Sequence, residues 1–201
     1  MLRRDVLPAL ILTALAAVFL GLVYPMVIYG IGQVTFKSQA DGSFITRDNQ
    51  VTGSSLIGQN FLDVKGDPLP QYFQSRPSAA GTNGYDATAS GASNLGPSDP
   101  RLLQAVAQRV AAYRKLNGLS NAVAIPVDAV TASASGLDPD ISIANSNLQA
   151  PRVASARDLP LAEVLTLIKT HTTPRKLGFL GEPGVNVLEI NLALDALHRQ
   201  M

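Results

Sequence analysis

The chain has 201 residues, with 16 Lys and Arg against 15 Asp and Glu, so its formal net charge is +1. Acids and bases are interspersed, and no basic stripe or acidic tail points to nucleic acid or to a cation buffer. The absence of cysteine argues against a thiolate metal site and leaves the compartment undecided.

The first predicted element is an apolar helix. Val6 to Phe36 carries no charged side chain and consists mostly of Leu, Val, Ile, Ala and Phe. As a helix it would be roughly 46 Å long, which exceeds the ~30 Å of a bilayer's hydrocarbon core. We therefore predict a single-span membrane protein with a short cytoplasmic tail at 1–5, a transmembrane helix at 6–35 and one extracytoplasmic domain at 36–201. Pro25 removes a backbone donor and predicts a kink.

A cleaved signal peptide is the alternative for this segment. Arg3 and Arg4 form a basic start, and Ala14-Leu15-Ala16 has the small-x-small pattern of a cleavage site. The apolar run continues well beyond that site, whereas a signal core usually stops after about 7–15 residues, so a retained helix is favoured. The charge bias places the amino terminus in the cytoplasm and the domain outside.

The next elements are two short strands and a long loop. Phe44 to Thr46 and Phe61 to Val64 are the strand candidates. From 75 to 100 the chain is almost wholly small or polar, with apolar anchors only at Tyr85 and Leu95. Such a segment cannot bury enough surface to fold alone, so we predict a loop that is disordered or held by a partner; a plain flexible insertion is the alternative.

A helix is predicted from Pro100 to Leu116. Ser98 or Asp99 can cap it, Pro100 suits its first turn and Asn117-Gly118 ends it. Its apolar face is expected to comprise Leu102, Leu103, Val106, Val110 and Tyr113.

The following segments predict a mixed α and β domain. Val123 to Val130 reads as a strand in which Pro126 indicates an edge or a bulge. Asp138-Pro139 predicts the start of a helix with Ile141, Ala144 and Leu148 on one side.

Two further elements complete the domain. Leu161 to Lys169 predicts a helix with Leu161, Val164, Leu165 and Ile168 on its inner face. Leu188 to Asp195 alternates strictly, which favours a half-buried strand over a helix capped by Asn186 and Glu189.

The chain offers little catalytic chemistry. It has no Gly-x-x-x-x-Gly-Lys phosphate loop and no segment suited to an aspartyl phosphate. Ser133, Ser135, Asp138 and His171 supply the residue types of a serine hydrolase, but the Gly-x-Ser-x-Gly elbow is missing. A tight turn and a histidine at a helix end explain them better, and we predict no catalytic residue. His171 and His198 are the only histidines, so no metal site is predicted either.

Gly53 to Gln59 (GSSLIGQ) is the remaining binding candidate. A turn of small residues can expose backbone amides to an anion, and Gln59 can bond a ribose hydroxyl. Ser54 and Ser55 complete this candidate nucleotide contact. On the residues alone, a turn leading into the strand at Phe61 is favoured.

Six strings in the chain resemble one family, the C subunit of the bacterial potassium-transporting P-type ATPase (the Kdp complex). They occur in the family's order and span nearly the whole chain. The strings are GLVYP (21–25), GSSLIGQNF (53–61), YFQSRPSA (72–79), SNLGPSDP (93–100), VDAVTASASGLDPDIS (127–142) and LGEPGVNVLEINLALD (180–195).

The resemblance implies a bacterial plasma-membrane (inner-membrane) subunit with one amino-terminal helix, an extracytoplasmic domain and no hydrolytic machinery of its own. Its expected partners are a channel-like potassium-translocating subunit, a P-type ATP-hydrolysing subunit, a small hydrophobic subunit and the lipid bilayer. No cofactor is expected on the chain itself, and ATP enters through the complex.

Particular residues are candidates for the contacts with these partners. Arg76, Pro77, Asn94, Leu95 and Pro97 are the predicted partner-docking residues, since polar loops on a rigid scaffold are common contact surfaces. The helix is expected to pack on partner helices through three small or kinking residues. These are Gly21, Pro25 and Gly30.

A minority hypothesis, also taken from the family, makes the subunit a nucleotide-responsive regulator. In it, Gln59 contacts ATP and raises the affinity of the hydrolysing subunit for the nucleotide. A domain outside the cell would not meet cytoplasmic ATP, which is the topological objection.

Overall fold

The computed structural model describes residues 2–198. They fall into two units that divide between Thr52 and Gly53, and each unit is described by itself. Met1, the first residue of the predicted tail at 1–5, and the side chains of residues 2–4 lie outside the described part.

The first unit is dominated by the predicted apolar helix. It comprises α1 (Leu2–Val18), a π-helical turn (Phe19–Val23) and α2 (Tyr24–Thr35). Asp5–Thr35, with a mean hydropathy of 2.6, is long and apolar enough to span a membrane, and no part of its most apolar window is buried within the chain. The fold class of one amino-terminal apolar helix followed by a mixed α and β domain is therefore confirmed.

The disturbance predicted at Pro25 takes the form of the π-helical turn. Pro25 has no N–H, and in a regular α-helix its ring would collide with the carbonyl group of Gly21. The Tyr24 N–H instead donates to the carbonyl of Phe19, five residues earlier. This wider turn accommodates the proline without ending the helix.

A short helix and a hairpin follow α2. Helix α3 (Lys37–Ala40) is followed by β1 (Phe44–Arg47) and β2 (Gln50–Ser54), which pair with each other. Asp48 and Asn49 have positive φ values of 51° and 62°, as the two-residue turn of a hairpin requires. The predicted strand at 44–46 is confirmed.

The second unit contains four helices and a small antiparallel sheet with the strand order β3-β5-β4. Residue Ile141 of β3 lies opposite Val185 of β5, and Thr172 of β4 lies opposite Val185 on the other side. The elements are α4 (Pro100–Asn117), a 3-10 turn (Val127–Ala129), β3 (Asp140–Ser142), α5 (Ile143–Ala156), α6 (Leu161–Thr170), β4 (Thr172–Thr173), β5 (Gly184–Asn186) and α7 (Val187–His198).

The core of this unit lies between the sheet and helices α5, α6 and α7. It has one contiguous apolar cluster, to which each of these elements contributes. The buried members are Phe73, Ile141, Ala150, Val153, Ala154, Val164, Ile168, Val185, Val187, Ile190 and Leu194.

Two predicted helices are confirmed, with narrower apolar faces than expected. Helix α4 starts after Asp99, whose side chain accepts from the N–H of Arg101, and it ends at Gly118 in the left-handed region. Leu103 on its predicted face is 58% exposed. In α6, Val164 and Ile168 are buried, whereas its other two predicted face residues are about two-fifths exposed. Those two are Leu161 and Leu165.

The strand prediction for 188–195 is wrong, because this segment forms helix α7. Asn186 Oδ1 accepts from the Glu189 N–H at 3.1 Å and caps the helix, as in the alternative reading. Leu188, Asn191 and Leu194 are buried, a spacing that fits one helical face. The alternation of apolar and polar residues at 188–195 was misleading because Asn191, which is polar, lies on the buried face of the helix.

The helix predicted from Asp138 begins later, at Ile143. Asp138 accepts from the N–H of Asp140 instead of capping a helix. Ile141 lies in strand β3, and the cap of α5 is Ser142, which accepts from the Asn145 N–H at 3.1 Å. The predicted helix face is therefore wrong, since Ala144 is exposed and Leu148 is only half-buried.

The strands predicted at 123–130 and 61–64 are absent. The first region forms turns and the 3-10 turn, with Val127 73% exposed. In the second region Asp63 accepts from the N–H groups of Lys65 and Asp67, which closes a turn and leaves only an isolated bridge at Leu62. In the second region, local bonds from the Asp63 side chain have taken the place of a sheet ladder.

Candidate partner interface

A short segment, residues 70–75, leads into the long loop and is held by side chains of helix α5 and of Arg157, which follows it. The N–H of Gln74 donates to Gln149 Oε1 at 2.7 Å, and its carbonyl accepts from Gln149 Nε2 at 3.0 Å. Arg157 Nε donates to the carbonyl of Gln71 at 2.6 Å. Since unpaired buried backbone groups are costly, these bonds fix the start of the loop.

A cluster formed by Arg157, Asp195 and Tyr72 also holds this segment. Arg157 is 8% exposed, pairs with Asp195 at 2.8 Å and lies 4.7 Å from the centre of the Tyr72 ring. The Tyr72 hydroxyl donates to Asp195 at 3.2 Å. Burial, followed by the charge of Asp195, raises the pKa of Tyr72, so the phenol stays protonated and remains a donor.

The loop at 75–100 has no helix or strand before Pro100, as predicted, but it is held by this chain itself. Arg76 Nη1 pairs with Asp138 at 2.6 Å, with about a fifth and a third of the two side chains exposed. The Tyr85 hydroxyl donates to the carbonyl of Arg76 at 2.6 Å, and burial raises the pKa of Tyr85 to about 12. The structure thus shows this loop bonded to itself and to a distant segment of the same chain.

A second set of contacts clamps the loop to the turn at 133–136. Ser78 Oγ donates to the carbonyl of Gly136 at 2.6 Å, and Ala80 is fully buried. Gly136 has a φ of +69°, and a Cβ placed there would lie 2.7 Å from the nitrogen of Ala80 and from the carbonyl oxygen of Gly91. Glycine is thus required where the two segments cross.

The predicted docking residues lie at two different places on this clamped loop. Arg76 and Pro77 line a cleft of about 670 Å³, together with residues of α4 that include Arg109 and Lys115. Asn94 is exposed and has a φ of +52°. Leu95 is half-buried and Pro97 is exposed, so these three form a separate surface near the start of α4.

The predicted helix-packing residues do not share one face. Gly21 and Pro25 are four residues apart and lie on nearly the same side of the helix, whereas Gly30 is turned about 140° from Pro25. A Cβ at Gly21 or Gly30 would meet nothing within 4 Å in the chain itself. Both sides are therefore open to close approach by other helices.

The candidate nucleotide loop is folded onto the domain. Ser54 is buried and its Oγ accepts from the Leu56 N–H at 3.1 Å, while the carbonyl of Ser55 accepts from Asn186 at 2.8 Å. A Cβ at Gly53 would collide with Nε2 of Gln59, because the glutamine side chain lies against this glycine. These contacts fit the turn interpretation, except that the strand expected after it is missing.

The serine hydrolase residues do not form a triad. His171 Nδ1 lies 3.0 Å from the carbonyl of Leu167 at the end of α6, as expected for a histidine at a helix terminus. Ser135 Oγ accepts from the N–H of Leu137 within the turn that also contains Ser133. Asp138 is paired with Arg76, so each group has a local structural partner.

Sequence reasoning missed an exposed apolar hairpin between β4 and β5. Leu177, Phe179 and Leu180 are 82%, 68% and 49% exposed. The pair Leu177-Gly178 is a weak hairpin signal because Asn or Asp normally stands before the glycine. Three apolar residues within four positions, flanked by Arg175 and Lys176, were the signal available.

Comparison with known proteins gives one consistent result. The family model described as "K+-transporting ATPase, c chain" matches residues 6–196. A potassium-transporting ATPase KdpC subunit from Mycobacterium tuberculosis is 54% identical over 196 residues, which cover 98% of this chain and 100% of the relative. KdpC subunits from Acidobacterium capsulatum and Gemmatimonas aurantiaca are 55% and 54% identical over 190 residues, covering 94% of this chain and 97% and 92% of those relatives.

These matches extend over the apolar helix and the folded domain alike, so they do not rest on one shared motif. The strings that suggested the resemblance fall within the matched range or at its edge. The chain belongs to the KdpC family, the c chain of the potassium-transporting ATPase, and is a subunit of that transport complex.

Proposed function

We propose that this chain is a non-catalytic assembly subunit that stabilises the channel-like and ATP-hydrolysing subunits of a potassium importer. The observation that carries the proposal is the apolar helix, which has no intramolecular cover along its most apolar window. Such a surface has to be covered by lipid or by other helices. The groups that looked catalytic in the sequence are engaged in local structural bonds, which supports a role in assembly instead of chemistry.

The helix would join the complex through its small residues. Gly21 with Pro25 offers one side for close approach, and Gly30 offers another, so the helix can lie between two neighbours. The small hydrophobic subunit and the transmembrane helices of the larger subunits are the proposed neighbours. The amino terminus would be cytoplasmic, and the domain would lie outside, near the ion entrance.

Deleting residues 6–34 tests the anchor. The tagged, truncated chain is expressed with the other subunits, which are then recovered by pull-down from solubilised membranes, with the full chain as the reference. We expect loss of co-purification and of growth at limiting potassium. Undiminished recovery together with full potassium uptake would rule out the anchor's role in assembly.

Labelling tests the orientation, and the absence of native cysteine makes it direct. Val64 is fully exposed in a surface turn, so Val64→Cys places a single thiol on the domain. An impermeant maleimide should label it in intact cells once the outer membrane, where present, is permeabilised. Labelling only after the plasma membrane is broken would place the domain in the cytoplasm and overturn this orientation.

A further inference from the structure

The hairpin between β4 and β5 presents an apolar tip, Leu177–Leu180, at the surface of the domain. Its three large side chains are exposed, and Leu177 is the most exposed of them at 82%. Exposed apolar side chains that are neighbours in one turn can mark a contact surface. The tip is therefore a candidate contact surface.

Bonds within the chain itself hold the hairpin together. Lys176 and Leu180 exchange two backbone hydrogen bonds, each 2.9 Å long. Arg175 pairs with Glu182 at 2.6 Å across the base. Pro174 and Pro183 lie just outside that ion pair and restrict the backbone on both strands.

The turn itself uses an unfavourable residue. Leu177 and Gly178 have φ values of +53° and +81°, and the Phe179 N–H donates to the carbonyl of Lys176 at 3.3 Å. A positive φ is uncommon for a residue other than glycine, and Asn or Asp adopts it more readily than Leu. The chain thus keeps a strained and exposed leucine where a polar residue would suit both the backbone and the solvent.

We propose that the apolar tip is a docking element that enters an apolar socket on another subunit of the potassium-transporting complex. This inference rests on the proposed assembly function. A rigid tip with a side chain fixed at a strained position is useful against a shaped protein surface, because preorganisation lowers the entropy lost on binding. A fluid lipid phase has no shape to match, so the same observations favour a protein socket over the bilayer.

The charge beside the tip indicates the chemistry expected at the edge of the partner's socket. Lys176 is exposed, and the structure gives it no carboxylate partner among residues 2–198, whereas Arg175 is already paired. A carboxylate at the edge of the socket would complement this ammonium group and fix the approach of the hairpin. The partner surface is thus apolar at its centre and acidic at its edge.

Leu177→Asn tests the proposal without endangering the fold, since Asn adopts a positive φ more readily than Leu. In the full-length chain in detergent, this variant should unfold at the same temperature as the wild type or higher. With the other subunits, its recovery on a tagged channel-like subunit should fall, and the double variant Leu177→Asn/Phe179→Ser should lose roughly tenfold or more in apparent affinity. Lys176→Glu should also lower recovery, most strongly at low salt.

Val64→Asn is the matched control, because Val64 is fully exposed in another turn and precedes a lysine. It should leave recovery unchanged. Equal losses for the control and the hairpin variants would overturn the proposal. Full recovery of the hairpin variants would also overturn it, and if the anchor deletion still abolished recovery, the assembly function would stand without the tip.

Photo-cross-linking identifies what the tip touches. Phe179 is replaced by p-benzoylphenylalanine in the assembled complex in membranes, with the same replacement at Val64 as the control. A cross-link from position 179 to another subunit's polypeptide supports the proposal. Adducts with lipid only, or no adduct, would overturn it.

Discussion

Asn191 and Phe73 are 118 residues apart in sequence, and the side-chain amide of Asn191 makes the two hydrogen bonds to the Phe73 backbone that a neighbouring β-strand would otherwise make. Asn191 Oδ1 accepts from the Phe73 N–H and Asn191 Nδ2 donates to the Phe73 carbonyl, both at 2.9 Å. Both residues are almost fully buried. One amide therefore satisfies both backbone groups of a core residue that lies in no strand.

The first prediction concerns this pair. Asn191→Ala leaves a buried N–H and a buried carbonyl without partners, and should lower the free energy of unfolding by about 2–4 kcal/mol. Denaturant unfolding of the full-length chain in detergent measures the change. Asn147→Ala, at an exposed position of α5, is the control and should change the stability by less than about 0.5 kcal/mol. Equal effects would show that the paired amide has no special role.

The second prediction concerns the crossing of the loop and the turn at Gly136. Gly136→Ala puts a methyl group against two backbone segments at a position with a positive φ. We therefore expect the free energy of unfolding to fall by about 2–4 kcal/mol, and proteolysis within residues 80–98 to become faster. Gly96→Ala is the control in the same loop, because a Cβ there meets nothing within 4 Å. Wild-type resistance in the Gly136 variant would mean that the loop is not clamped at this point.

The third prediction concerns pH. Burial, followed by the charges of Asp138 and Glu189, raises the pKa of Asp140 above its unfolded value of about 3.9. The folded chain then binds more protons than the unfolded chain in the window between the two values. This contribution to stability is therefore lost as the pH rises through that window.

Asp140→Asn removes this unfavourable charge. The variant should melt at a higher temperature than the wild type at pH 7, and the difference should disappear near pH 3, where the wild-type carboxyl is neutral. Melting curves of the full-length chain across this range measure it, with Asp158→Asn matching the change in net charge at an exposed position. A less stable Asp140 variant at pH 7 would show that the carboxylate makes a favourable contact.

The fourth prediction concerns the helix. Gly21→Leu and Gly30→Leu add bulk where the chain itself offers no obstacle, so insertion and folding of the chain alone should be unchanged. Assembly should weaken by about 1–2 kcal/mol, a factor of roughly 5–30, because neighbouring helices can no longer approach closely. Co-purification measures this, with Ala9→Leu as the control. If both glycine variants assemble normally, these sides of the helix do not contact partners.

The fifth prediction separates assembly from nucleotide regulation. Gln59→Ala removes the side chain that lies against Gly53, and under the assembly proposal the pump's KM for ATP should change by less than about twofold. Asn60→Ala is the neighbouring control. A clear rise in KM for the Gln59 variant alone, with intact assembly, would favour the nucleotide-responsive role.

The sequence alone located the features whose signals are local. The apolar run at 6–36 predicted the long helix, since an uninterrupted apolar surface has few other uses. Asp99-Pro100 and Gly118 bounded helix α4 within one residue, because cap, proline and glycine act on adjacent backbone groups. The family strings identified the complex to which the chain belongs.

Other features depended on distant residues. Strict alternation at 188–195 predicted a strand, yet Asn191 belongs inside because Phe73 needs its amide. The loop at 75–100 looked unable to order itself, yet the distant turn at 133–138 bonds to it at Ser78 and Arg76. Composition and spacing show which bonds a residue can make. The tertiary structure decides which distant group it meets. That partner matters for stability because a buried polar group without a hydrogen bond is costly.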